Sequence, residues 1–150
     1  CIGDLLAQEA KSAGLSGIVI WGLHRDSDDI AEIGIPLFSL GSIPNGPLRV
    51  DARPPAALDS ADIGDWTVDA SDLVVADADG VLFLPLDRAD ELFTLAEAIR
   101  DTERHQADLI RGGTSLRDQV RFADYLAARA VRPDLTFREH LRTVGGEIEV

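Results

Sequence analysis

Two short segments near the start of the chain carry residues suited to binding a small anion and a cation. Gly3 and Asp4 stand at the start of an expected helix, where the first backbone N–H groups have no intrahelical partner and can receive a carboxylate. Arg25 and Asp26 follow an apolar segment and offer a planar positive fork and a hard oxygen ligand. These residue types favour binding of a carboxylate beside a divalent metal ion.

The same residues also have ordinary structural explanations. An Asp at a helix start is usually a cap, and an Arg beside an Asp often forms only a surface ion pair. Twenty residues separate Asp4 from Arg25, which is about one helix, one strand and their connections. Both segments can therefore open onto the same edge of a sheet, where open α/β folds tend to bind ligands. Spacing alone leaves the functional and the structural interpretations open.

The elements that must position these residues follow from the apolar pattern. A helix is expected over residues 4–13 with Gly14 as its stop, and a buried strand over residues 17–21. A second helix, capped by Asp26, is expected to end at Gly34, and a second strand covers residues 36–40. This alternation predicts an α/β layered domain.

The middle of the chain is rich in turn residues. Residues 41–66 contain several Pro and Gly residues and predict at most one short strand, over residues 48–50. Asp77-Ala78-Asp79-Gly80 lies between two apolar runs and predicts a β-hairpin. A calcium loop is disfavoured, because the later ligands and the closing glutamate are missing.

The last third of the chain is predicted to be helical. Residues 88–111 form a long amphipathic pattern in which Glu103 falls near the centre of the apolar stripe, where it requires a partner or a wet interface. Two further helices are expected over residues 115–130 and 136–144. His105 and His140 are expected to face solvent, and His24, which adjoins the site, is expected either to support the residues that bind the ligand or to have a structural role.

Composition limits the classes of function. The chain has 150 residues, 45% of them hydrophobic, which suits one ordinary domain with a core, and its formal net charge of −13 argues against direct nucleic-acid binding. Its apolar runs fall short of the roughly 20 residues that cross a bilayer, so no membrane span is expected. The single cysteine favours a reducing compartment, with the cytoplasm as the default. The chain lacks an initiator methionine and is expected to be a fragment.

Several motifs together resemble the RraA-like family, which includes regulators of ribonuclease E activity and 4-hydroxy-4-methyl-2-oxoglutarate aldolases. The family signature is an Asp, twenty intervening residues and an Arg-Asp pair, which Asp4, Arg25 and Asp26 match. The segments that carry the resemblance are Gly3-Asp4-Leu5-Leu6-Ala7, Gly17-Ile18-Val19-Ile20, Gly22-Leu23-His24-Arg25-Asp26, Gly34-Ile35-Pro36-Leu37-Phe38 and Asp77-Ala78-Asp79-Gly80-Val81 with Pro85. Trp21 departs from the Asp that is common in the family.

The resemblance implies a three-layer β/β/α swivelling fold of the phosphohistidine-domain type, incomplete at its N-terminus. Residues 1–113 are then the C-terminal part of the family domain, and residues 114–150 are a helical extension. The resemblance also implies a homotrimer or a hexamer with active sites between subunits.

The resemblance further implies a role for each site residue. Asp26 would hold Mg²⁺ or Mn²⁺, and Arg25 would bind the carboxylate and keto oxygen of a small 2-oxo acid. Asp4 would orient water on the metal. The pyruvyl carboxylate would bind at Gly3 and the backbone of Leu5 and Leu6. A glutamate from the neighbouring subunit would complete the site, and Glu103 is its best match.

These roles predict a divalent-metal-dependent aldolase or decarboxylase. Its substrates would be 4-hydroxy-4-methyl-2-oxoglutarate-type acids or oxaloacetate, since both reactions leave a pyruvate enolate whose negative charge lies between the metal and Arg25. Two alternatives stay open. One is a protein-interaction regulator that inhibits a ribonuclease through its acidic surface, and the other is an inactive, truncated member of the family.

Overall fold

The computed structural model describes residues 1–47 and 51–145, so the strand expected over residues 48–50 lies outside the described residues. The described residues form six α-helices and six strands, which confirms the predicted α/β class. The chain divides into two compact units, Cys1–Asp87 and Arg88–Val150. The first unit ends before the long helix, and the assignment of residues 1–113 to one family domain stays a prediction.

The first unit opens with the predicted order of helix, strand, helix and strand. These elements are α1 (Asp4–Ser12), β1 (Ile18–Val19), α2 (Ser27–Ile33) and β2 (Leu37–Phe38). β1 and β2 pair in parallel, with Ile18 opposite Leu37, and both strands are shorter and less buried than the apolar runs predicted. Gly14, with φ of 79°, ends α1 as expected, because its N–H and that of Leu15 donate back to carbonyls of the last turn.

A small apolar core joins α1 to α2. Ala7 and Ala10 of α1 are buried against Ile30 of α2 and against Ile35. The alanines let the two helices approach closely, and Lys11 Nζ donates to the carbonyl of Ile33 at the end of α2. This packing fixes the start of α1 relative to the segment that precedes α2.

Two antiparallel hairpins complete the first unit. β5 (Asp72–Asp77) and β6 (Gly80–Pro85) form the predicted hairpin, and Asp77 Oδ1 accepts from the Asp79 N–H at 2.8 Å, as a turn residue does. A second hairpin joins β3 (Ser60–Ile63) to β4 (Trp66–Asp69). The prediction of at most one strand in residues 41–66 was wrong, because these strands are short and largely exposed and carry a weak apolar alternation.

The second unit contains α3 (Ala89–Arg111), α4 (Leu116–Gln119), α5 (Phe122–Val131) and α6 (Phe137–Val144). The long helix and the last helix were predicted. The single helix expected over residues 115–130 was wrong, since Arg121 adopts φ of 50° and separates α4 from α5. None of the described helices combines the length and the apolar composition needed to cross a membrane.

His140 bonds the end of α4, one residue before the break at Arg121. Its Nε2 donates to the carbonyl of Val120 at 2.8 Å, and its ring lies 5.5 Å from that of Tyr125. The expected exposure of His140 was therefore wrong, because a buried carbonyl beyond α4 needs a donor and the imidazole supplies it. His105 is exposed, as predicted.

Candidate functional site

The Arg25-Asp26 pair lies against the start of α1. The backbone N–H of Arg25 donates to the carbonyl of Ile2 at 2.9 Å, and the backbone N–H of Ile43 donates to the carbonyl of His24 at 2.8 Å. Ile2, His24 and Ser42 thereby form two consecutive parallel bridges. Three segments that are distant in sequence converge at this point.

The carboxylate of Asp26 joins the two predicted motifs. Its Oδ2 accepts from Arg25 Nε at 3.2 Å and from the Asp4 N–H at 3.4 Å. The expected cap of α2 is not formed, because Asp26 makes no side-chain cap bond and has φ of 59°, whereas a capping side chain needs extended backbone. The structure thus brings Asp4, Arg25 and Asp26 together.

Gly3 permits this close approach. A Cβ at residue 3 would lie 2.4 Å from Asp26 Oδ2 and 2.9 Å from Arg25 Nε, both too short for real contacts. The glycine in the first motif is therefore needed for space and not for an unusual φ, since its backbone is extended.

The first turn of α1 keeps free backbone donors. Its first intrahelical bond runs from the Ala7 N–H to the carbonyl of Gly3 at 3.2 Å, and the Asp4 N–H already points at Asp26. Within residues 1–47 and 51–145, the N–H groups of Leu5 and Leu6 have no acceptor. These two N–H groups are available to a carboxylate ligand.

Two adjacent cavities share the Arg25 side chain. One, of about 230 Å³, opens at the start of α1 and is lined by Cys1, Ile2, Gly3, Asp4, Leu5, Leu6, Arg25 and Pro47. The other, of about 370 Å³, opens beside Asp26 and is lined by Arg25, Asp26, Ser27, Ser42, Ile43 and Pro44. Arg25 is thus placed to reach a ligand in either cavity.

Sequence reasoning missed the loop that faces Arg25. Ser42 lines the second cavity, and a Cβ at Gly46 would lie 3.0 Å from Arg25 Nη1. The turn-rich composition of residues 41–47 predicted only an irregular segment. The glycine itself was the available signal, since a backbone that closely approaches a charged side chain often has no Cβ.

Asp26 has one carboxylate oxygen left for a metal ion. No described donor bonds its Oδ1, and 33% of the side chain is exposed. The described residues contain no group of three or more His, Cys, Asp or Glu side chains that could enclose a metal. The donors present fit Mg²⁺ or Mn²⁺ held by one or two carboxylates, with water and substrate oxygens completing the shell.

Glu103 belongs to the second unit, where it is exposed on α3. A carboxylate in contact with solvent needs no partner. Glu103 can lie in the apolar stripe of α3 because that stripe is itself partly exposed, with Phe93 41% exposed and Leu95 59% exposed. The assignment of Glu103 to the site stays a prediction.

Known proteins resemble the chain over most of its length. An uncharacterized protein of Methanocaldococcus jannaschii is 30% identical over 118 residues, covering 77% of this chain and 55% of that protein. A Pseudomonas aeruginosa protein named "Putative 4-hydroxy-4-methyl-2-oxoglutarate aldolase" is 35% identical over 85 residues, covering 56% of this chain and 51% of that protein. The chain spans about half the length of these curated relatives.

The fold has a solved counterpart. The crystal structure of an uncharacterized protein from Pseudomonas syringae pv. tomato matches with a TM-score of 0.63 at 28% identity, over 77% of this chain and 57% of that chain. This similarity in overall fold confirms the predicted family fold. The family described as "RraA-like: Aldolase/RraA" matches residues 1–83, which is more than half of the chain and contains Asp4, Arg25 and Asp26. The chain belongs to the RraA-like family.

Proposed function

We propose that this site binds a small 2-oxo dicarboxylic acid and cleaves it, by retro-aldol reaction or decarboxylation, through a pyruvate enolate. The observation that carries the proposal is the meeting of Arg25 Nε and the Asp4 N–H on one carboxylate oxygen of Asp26. The name of the Pseudomonas aeruginosa relative supports the same chemical class.

Arg25 is the positively charged group that would bind the negatively charged substrate. Its guanidinium carries several donors, and 42% of the side chain is exposed at the border of the two cavities. It would hold the carboxylate and keto oxygen of the 2-oxo acid and stabilise the negative charge that develops on that oxygen. The ion pair with Asp26 orients the guanidinium before substrate arrives.

The first turn of α1 would receive the pyruvyl carboxylate. The N–H groups of Leu5 and Leu6 point from a helix start, where the helix dipole favours an anion. The adjoining cavity of about 230 Å³ exceeds the ~30 Å³ share of one water several times over and so admits a small organic acid. Binding there would place the rest of the substrate toward Arg25.

Asp26 and Asp4 would hold a divalent metal ion and its water. Mg²⁺ or Mn²⁺ at Asp26 would supply Lewis-acid stabilisation of the developing enolate charge. Asp4 is half-buried and lines the cavity at the start of α1, where its carboxylate would orient the water, while its backbone N–H donates to Asp26 Oδ2.

The test is release of pyruvate by the full chain with added Mg²⁺ or Mn²⁺. Substrates are oxaloacetate and a panel of 4-hydroxy-2-oxo dicarboxylic acids. Arg25→Ala should reduce release on the order of 100-fold, as loss of one transition-state donor does. Asp26→Asn should reduce it by a similar factor, because a neutral amide is a weaker ligand for a hard divalent cation than a carboxylate. Asp28→Asn, an exposed carboxylate two residues away, is the matched control and should leave the rate unchanged. Metal-independent release, or equal rates for Asp26→Asn and Asp28→Asn, would refute the proposal.

A further inference from the structure

His24 precedes the Arg25-Asp26 pair and is hydrogen-bonded at both ring nitrogens. Its Nδ1 lies 2.7 Å from Ser39 Oγ, and its Nε2 lies 2.9 Å from Ser27 Oγ. The residue is half-buried. An imidazole bonded at both nitrogens has a fixed ring orientation, so His24 can hold Ser27 and Ser39 at a fixed separation from each other.

The bond to Ser27 closes the turn that contains the site residues. Ser27 directly follows Asp26, so the His24–Ser27 contact spans both Arg25 and Asp26. Asp26 has φ of 59° and ψ of 45°, a left-handed conformation that is unfavourable for an L residue, although Asp tolerates it better than most, so contacts with its surroundings help to hold it. The contact between His24 and Ser27 is a local constraint that helps to impose this conformation.

The bond to Ser39 anchors the loop that lines the other side of the cavity beside Asp26. Ser39 Oγ accepts from the Gly41 N–H at 3.2 Å, and the carbonyl of Gly41 accepts from the His24 N–H at 3.0 Å. The next residues, Ser42 and Ile43, line the cavity beside Asp26. His24 therefore ties the Asp26 turn and the facing loop to one rigid ring.

We propose that His24 is a positioning residue of this site: through Ser27 it keeps the Asp26 carboxylate on Arg25 and the Asp4 N–H, and through Ser39 it holds the facing wall. Its effect on catalysis rests on the proposed function, whereas its effect on the geometry of Asp26 does not. A merely structural histidine would affect stability alone.

The two hydrogen bonds can be separated by a matched pair of substitutions. In His24→Gln the amide replaces Nε2 and can still reach Ser27, and in His24→Asn it replaces Nδ1 and can reach only Ser39. The first readout is the NMR chemical shift of the Asp4 backbone N–H, which bonds Asp26 Oδ2. His24→Ala and His24→Asn should move this signal, while His24→Gln should keep it near the wild-type position. His105→Ala, at an exposed histidine, is the control and should leave it unchanged.

The second readout is binding of Mn²⁺ alone, followed by the signal of free Mn²⁺ in electron paramagnetic resonance. Loss of a residue that orients a metal ligand typically weakens affinity or activity 10- to 100-fold, so we expect a loss of about that size in His24→Ala and His24→Asn. His24→Gln should retain most of the wild-type affinity for Mn²⁺. In the pyruvate assay, kcat should fall more than KM rises.

The outcomes separate this inference from the proposed function. If wild-type protein neither binds Mn²⁺ nor releases pyruvate, the proposed function fails, and the Asp4 signal still decides the role of His24. If His24→Ala leaves the Asp4 signal in place, or if His24→Gln behaves like His24→Ala in every readout, the positioning role is overturned.

Discussion

Asp26 combines an unusual backbone conformation with the proposed ligand role. A left-handed conformation costs an L residue roughly 1–2 kcal/mol, and glycine avoids most of this cost. Asp26→Gly and Asp26→Ala both remove the carboxylate, so their difference isolates the backbone. We expect Asp26→Gly to unfold in urea with a free energy about 1 kcal/mol higher than Asp26→Ala. Equal stabilities would show that the turn relaxes out of the left-handed region.

Gly3 offers a second test at the level of a single residue. Gly3→Ala would place a methyl group 2.4 Å from Asp26 Oδ2, so the carboxylate must move away from the Asp4 N–H. A displacement of about 1 Å can cost about 100-fold in rate, which is the expected loss of pyruvate release. Gly22→Ala is the control, because its Cβ would meet nothing within 4 Å and it should keep wild-type activity. An active Gly3→Ala protein would argue against the proposed geometry.

At the scale of elements, a reciprocal capping box stabilises the N-terminus of α6. Thr136 Oγ1 accepts from the Glu139 N–H at 3.2 Å, and the Glu139 carboxylate accepts from the Thr136 N–H at 2.9 Å. Thr136→Ala should lower the free energy of unfolding by about 1 kcal/mol, measured by urea denaturation. Thr102→Ala should not lower it, since the Thr102 hydroxyl bonds only back to the carbonyl of Ala98 within α3. Equal losses in both variants would contradict the capping role.

The same box makes the stability of α6 depend on pH. The backbone N–H and the hydroxyl of Thr136 bond the ionised Glu139 and lower the pKa of its carboxyl below the ordinary value. A pKa lowered by folding adds stability that is fully present above the unfolded pKa and is lost as the pH falls through the folded pKa. Glu139→Gln should therefore be less stable than wild type at pH 7, and the difference should shrink in acid. A difference that is constant from pH 7 to acid would exclude this origin.

At the scale of the whole molecule, exposed apolar side chains favour assembly. Trp66 and Leu82 in the first unit and Leu95 in the second are each more than half exposed, and exposed large apolar side chains are candidates for burial in a protein interface. This supports the proposal of a homotrimer or hexamer, which light scattering would measure directly. A monomer at all concentrations tested would contradict it.

If the site is shared between subunits, inactive variants should complement each other. We expect Asp26→Asn and Glu103→Gln to be inactive separately, because each removes one half of every shared site. Unfolding and refolding them together should restore about a quarter of wild-type pyruvate release, the share of sites that pair two intact halves in a random mixture. Glu97→Gln, an exposed glutamate on the same helix, should be active alone. No recovery, or full activity of Glu103→Gln, would remove Glu103 from the site.

The sequence by itself determined the elements whose signals are local. Gly14 and Gly34 stop α1 and α2, the Asp-Gly pair makes the β5–β6 turn, and the apolar period sets α3, because each depends on neighbours within a few residues. The motifs that contain Asp4, Arg25 and Asp26, together with the other matching segments, likewise indicate the family in the sequence alone.

Only the tertiary structure decided where these side chains point. Asp26 was expected to cap its own helix and instead bonds the start of α1, and His140 was expected in water and instead bonds the carbonyl of Val120. The β3–β4 hairpin and the break at Arg121 also escaped the pattern. For Asp26 and His140 the physical reason is the same: their partners, the Asp4 N–H and the Val120 carbonyl, lie twenty or more positions away, and no local periodicity records such a contact.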